Sequence, residues 1–227
     1  MVLGLSVSCL APCHAQEIQS VPPLSPHDLG PAYPAKSEVE LRARYEQFAD
    51  SLDTIKITRE YPKAIQNLLS GAPQRQTTAL ATLSATGEVE TIPWMVPLLD
   101  SPDPEIRSWA GVSLEKLVSS TILQQRRNPI PERIALDPLT PDDTDFRPLA
   151  WVVYRMLNQR GTEGYAATMI GYIGLKEFEP ELRELMASQH PAVTNNVKYA
   201  LELLEAPPVA DTVPLIAEPI HLDDAAR

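Results

Sequence analysis

Apolar residues recur along this chain at helical spacing and not in strand-like alternation. Behind Ser37, an N-cap with Glu40 three residues on, Val39, Leu41, Tyr45, Phe48 and Leu52 fall on one face. Residues 61–69 give a shorter pattern, with Pro62 in the first turn, Ala64, Ile65, Leu68 and Leu69 inward, and Gly71 as the stop. Further helices are predicted over residues 74–86, with Leu80 and Leu83 inward, over 91–100, and from 104 into the low 120s. Ser101-Pro102-Asp103-Pro104 separates the last two, because proline cannot continue one helix but opens the next well, with Asp103 placed to cap it. Leu149, Val152, Val153, Met156 and Leu157 mark a helix within 146–160, and three more are expected over 162–173, 179–188 and 192–205. The fold class this predicts is all-α.

The patterns are not independent of one another. Residues 87–117 reappear without a gap 87 positions later: Gly87 falls on Gly174, Pro93 on Pro180, Met95 on Leu182, Leu98 on Leu185, Ile106 on Val193, Ala110 on Val197, Leu114 on Leu201 and Leu117 on Leu204. That interval is about twice the ~40–47 residues of a helix-pair repeat, so a divergent unit belongs between the copies. Residues 146–160 supply it, behind a proline-rich acidic insert at 128–145.

With Leu98-Leu99-Asp100-Ser101-Pro102-Asp103-Pro104-Glu105-Ile106-Arg107, followed by Ala110, Leu114 and Leu117, the chain resembles the HEAT repeat family in its bacterial, PBS-lyase-like form. The second copy departs from the pattern: Thr194 replaces the arginine, and Ala187 and His190 replace two aspartates. The resemblance implies a short right-handed α-solenoid of antiparallel helix pairs spanning residues 37–205. It also implies a binding scaffold, because such repeats specify a surface and not a reaction.

The ends read differently. Residues 1–15 contain no Lys, Arg, Asp or Glu, are apolar from Val2 to Ala11, and offer small residues at Cys13 and Ala15, as a signal peptide cleaved after Ala15 does. Periplasmic or secreted localisation follows; a lipoprotein signal ending at Cys13 is the alternative, poorly served by Pro12. Residues 16–36 form a proline-rich, disordered lead-in and 206–227 a disordered acidic tail. Both cysteines, Cys9 and Cys13, lie in the leader, so the mature chain has no disulfide, thiol nucleophile or thiolate metal site.

The net charge of -11 changes meaning once it is located: residues 128–146 and 206–227 carry seven of those eleven charges, leaving the helical body nearly neutral. No basic stripe exists to follow a phosphate backbone, which argues against nucleic acid, and no run is long enough to span a membrane.

Candidate chemistry is sparse. His190 is the one histidine in the repeat body and sits where the first copy has Asp103, a capping or solvent position. Asp142-Asp143-Thr144-Asp145 lacks the glycine and the later glutamate of a calcium loop; Thr144 or Asp145 is better placed to cap the following helix. Gly161, Gly164, Gly171 and Gly174 follow no strand and precede no Gly-Lys-Ser/Thr, so close packing and helix termination suit them better than phosphate binding. No serine lies in a nucleophile elbow. No catalytic, cofactor or metal residues are assigned.

Comparing the copies singles out one place. Trp94, Val96 and Trp109 stand where the second copy has Glu181, Arg183 and Asn196. Family resemblance puts Trp94 on a concave inner face. Either Trp94, Met95, Val96 and Trp109 form an apolar patch for a protein or peptide partner, or the helices of residues 37–69 or the insert close over them as core. Trp151, on an apolar helical face, is expected in the core. The function expected is that of an exported, non-catalytic scaffold for protein binding, with no cofactor. A lyase-like or hydrolytic enzyme on the same repeats, or a structural subunit of an envelope complex, are the alternatives.

Overall fold

Local rules set most helix ends in the computed structural model, which describes residues 37–125, 144–187 and 190–206. Ser37 Oγ accepts the Glu40 N–H at 3.3 Å to open α1 (Glu38–Ser51). Asp53 Oδ1 accepts the Lys56 N–H at 3.0 Å to open α2 (Thr54–Glu60), a helix the apolar pattern does not reveal because it buries a single residue, Ile57. Pro62 opens α3 (Pro62–Leu69) and Pro73 opens α4 (Pro73–Ser84). The stretch predicted as one helix over 91–100 is three short pieces: a 3₁₀ turn (Val89–Thr91), α5 (Ile92–Met95) and a 3₁₀ helix (Val96–Asp100). Pro93 and Pro97, lacking N–H donors, explain why no regular α-helix runs through.

α6 (Pro104–Gln125) follows, its first turn held by Asp103 Oδ1 accepting the Glu105 N–H at 2.9 Å. A 3₁₀ turn (Arg147–Leu149) leads into α7 (Ala150–Leu157), where Asp145 Oδ1 accepts the Arg147 N–H at 2.9 Å. The last elements are α8 (Glu163–Ile173), a 3₁₀ turn (Lys176–Phe178), α9 (Glu179–Leu185) and α10 (Pro191–Glu205). Among the described residues every element is helical and none is a strand. All of them fall in one compact unit, Pro34–Arg227. The leader 1–15, the lead-in 16–36, residues 128–143 of the insert and the tail beyond Ala206 lie outside the described residues.

The sequence repeat is also a repeat of elements. Shifting by 87 carries the turn Val89–Thr91 onto Lys176–Phe178, the start of α5 onto that of α9, and the start of α6 onto that of α10. Gly174 caps α8 and Gly87 lies three residues beyond the end of α4; their φ values of 82° and 74° are left-handed values that side chains resist. α3 packs on α4, α4 on α6, α6 on α8 and α8 on α10; α5 and its 3₁₀ extension flank α6, α7 flanks α8 and α9 flanks α10.

The α8–α10 crossing depends on Gly171. A Cβ there would lie 2.8 Å from Ala200 Cα and 3.0 Å from Leu203 Cδ1. In the first copy the same two positions, Ser84 and Ser113, are also small and buried. The core is continuous through Leu80, Leu83, Leu99, Leu114, Leu117, Val153, Met156, Ile170 and Leu182. Two inward assignments fail: Val39, in the first turn of α1, and Leu69, the last residue of α3, are 77% and 70% exposed.

Candidate functional site

The four residues singled out by comparing the copies do not form one surface. Ile92, Met95, Val96 and Leu99 recur at i, i+3, i+4 and i+7, and all four are buried between their own turn and α6. Met95 and Val96 are therefore core, so as candidate partner-binding residues they are corrected and the buried alternative holds for them, although it is their own turn and α6 that cover them. Trp94 is half-buried, and its indole Nε1 is enclosed with no hydrogen-bond partner among the described residues. Trp109, on α6, is 39% exposed and is the most exposed of the four.

Their counterparts show why polarity was a poor guide. Glu181, at the position of Trp94, is buried, whereas Arg183, at the position of Val96, is exposed and pairs with Glu179 at 2.6 Å. Asn196, at the position of Trp109, donates from Nδ2 to the Gly164 carbonyl at 3.1 Å, tying α10 to α8. The repeat shift carries Gly164 onto Thr77 of α4. Trp109 thus holds the place on α6 from which the second copy bridges to its neighbouring helix.

The densest set of polar and aromatic contacts lies elsewhere, where α1 meets α7. Tyr45 stacks on Trp151 with centroids 5.0 Å apart and planes at 29°. The guanidinium of Arg155 lies 4.7 Å from the same indole centroid and that of Arg42 5.9 Å from it, within cation–π range. Arg155 also pairs with Asp100, joining α7 to the end of the 3₁₀ helix before α6. Burial pushes the Tyr45 phenol up to about 12, an effect the positive charge of Arg155 partly offsets. Trp151, expected wholly in the core, is half-buried in this stack. Sequence spacing could not find the cluster, since Tyr45 and Trp151 are 106 positions apart.

The remaining polar groups are mostly structural. Lys56 Nζ reaches Glu88 at 2.5 Å and Glu90 at 3.5 Å, fastening α2 to the turn before α5, and the Glu88 hydrogen bond holds the lysine above its ordinary range. The Arg147 guanidinium grips the Asp145 carboxylate at 2.7–3.0 Å and draws its pKa down. Glu115, half-buried on α6, is shifted upward by desolvation, against a lowering hydrogen bond with Ser119. Arg107 donates to the Ser101 and Pro102 carbonyls at 2.8 and 3.1 Å, within its own repeat. His190 is exposed at the start of α10, with no side-chain capping bond there. Thr162 Oγ1 donates to the Met156 and Gln159 carbonyls at 2.7 and 2.9 Å, closing the α7–α8 turn.

Among the described residues no three His, Cys, Asp or Glu side chains gather as a metal site, and no helix is long and apolar enough to cross a membrane. In comparisons with known proteins, no family model, no curated protein and no solved structure matches this chain.

Proposed function

We propose that this chain is an exported, non-catalytic helical-repeat scaffold that binds a protein or peptide partner, its helix pairs arranged as a short right-handed α-solenoid of the HEAT-like kind. The observation that carries the reading is the 87-residue register, in which turn, helix start and left-handed glycine recur together. Repeats built in this way offer extended surface and little enclosed volume, which suits binding a chain better than enclosing a small substrate. The succession α4, α6, α8 and α10, each packed on the next, supports the same view. Export rests on the apolar, uncharged leader at residues 1–15, ending in Cys13-His14-Ala15.

Within this reading the partner site narrows to Trp109, because Met95 and Val96 are buried and Trp94 is only partly exposed. A partly exposed indole on a helix of a body with little net charge is the residue type that dominates interface energetics. The test is affinity capture on the mature chain with mass spectrometry, followed by titration of the captured partner against wild type and Trp109→Ala. A folded Trp109→Ala variant is expected to bind about 2 kcal/mol more weakly, roughly thirtyfold in Kd. Unchanged affinity removes Trp109 from the site, and turnover of a substrate abolished by a point change in the repeat body overturns the non-catalytic reading.

A further inference from the structure

α1 docks out of chain order. Two residues, Leu52 and Asp53, separate it from α2, yet its main contacts are with α7 and the 3₁₀ turn that opens α7. Its grip is small for a helix of 14 residues: only Leu41 and Tyr45, one turn apart, are buried. The far side of the link is fixed, since Ile57 of α2 is fully buried and Lys56 is ion-paired to Glu88 and Glu90. Leu52 is extended and Asp53 turns into the cap of α2, so the two together have the form of a hinge with one anchored end.

The face under α1 is organised without it. Arg155 lies against the Trp151 indole from the same helix and is ion-paired to Asp100, and both of these contacts are made without α1. What α1 adds is Tyr45 stacked on the indole and Arg42 at its edge. We propose that α1 is a detachable strap, which opens as a unit about Leu52 and Asp53 while α3 to α10 stay folded, and so controls whether the Trp151–Arg155 face is accessible. This goes beyond the scaffold reading and stands or falls independently of any partner.

Native-state hydrogen exchange on the full chain tests it, resolved by helix in the presence of low, non-denaturing urea. The expected result is that α1 amides exchange at least ~10-fold faster than those of α8 and α10, through an opening whose urea dependence is small but not zero and well below that of the rest of the fold. Tyr45→Ala is expected to speed α1 exchange by a further ~10-fold while leaving α8 and α10 within about 2-fold of wild type. Arg42→Ala, which removes a contact but no buried group, should act in the same direction more weakly. Should α1 exchange at the rate of α8 and α10 and accelerate with them in urea, α1 is an integral part of the fold and the strap is refuted. The same conclusion follows if Tyr45→Ala accelerates every helix alike, and the wild-type profile decides the matter alone if that variant does not fold.

Discussion

Gly171→Ala is the substitution whose outcome the packing determines most directly. A methyl group is added at the α8–α10 crossing, where its carbon would sit 2.8 Å from Ala200 Cα, 3.0 Å from Leu203 Cδ1 and 3.2 Å from Ala200 Cβ. Carbon atoms prefer about 3.5–4.0 Å, so α10 must retreat by several tenths of an ångström. Leu203 can change rotamer, but the Ala200 Cα is backbone and moves only with its helix. Overpacking of this kind costs about 1–3 kcal/mol, while replacing a mid-helix glycine by alanine returns about 0.5–1 kcal/mol. The net expectation is a loss of about 0–2.5 kcal/mol, centred slightly above 1, read as a Tm lowered by roughly 2–5 °C at the centre of that range in circular dichroism at 222 nm and as a lower urea midpoint. Gly164→Ala is the control. Its nearest neighbour, at 3.0 Å, is the movable Asn196 Nδ2, and the closest backbone atom, Val193 Cα, is an ordinary 3.8 Å away. Its cost is limited to the hydrogen bond from Asn196 Nδ2 to the Gly164 carbonyl, about 0.5–1.5 kcal/mol at most, with no helix displaced. A Gly171→Ala protein more stable than wild type would refute the close crossing.

Two further outcomes follow from local geometry. The Tyr45 phenol lies above its ordinary value of 10.0 at about 12, so the folded state favours the protonated form. That stability is fully present below pH 10 and is lost as the pH rises through about 12, a span worth roughly 2–3 kcal/mol. The difference in 295 nm absorbance between wild type and Tyr45→Phe should rise well above pH 10, together with loss of the Trp151 contact; a difference that rises near pH 10 contradicts the burial of Tyr45. Gly174→Ala meets a different obstacle: φ is 82°, a conformation that L side chains resist. The cost should be about 1–2 kcal/mol in urea titrations, whereas an unchanged midpoint would mean that the α8 terminus is not left-handed.

Helix ends were legible because short-range chemistry sets them. Ser37, Pro62, Pro104 and Gly174 act within a few residues of themselves, and a reader of the sequence sees the same neighbours that the backbone does. Where prolines are closely spaced the forecast was too smooth: Pro93 and Pro97 break residues 89–100 into three short pieces. The candidate site was legible only in part. Trp109 keeps exposed area, but Met95 and Val96 belong to a stripe shared with Ile92 and Leu99, and Glu181 shows that a polar residue in one copy does not make its position a solvent position.

By itself, then, the sequence determined a helical chain with an 87-residue internal register, because periodic apolar positions, prolines and glycines act through contacts a few residues long. Tertiary structure alone decided which side chains within that register reach solvent, that Gly171 admits a second helix to within a methyl's width, and that α1 lies across α7. Burial is a property of what packs from outside a segment. The partner of Tyr45 stands 106 residues away, beyond the reach of any local pattern.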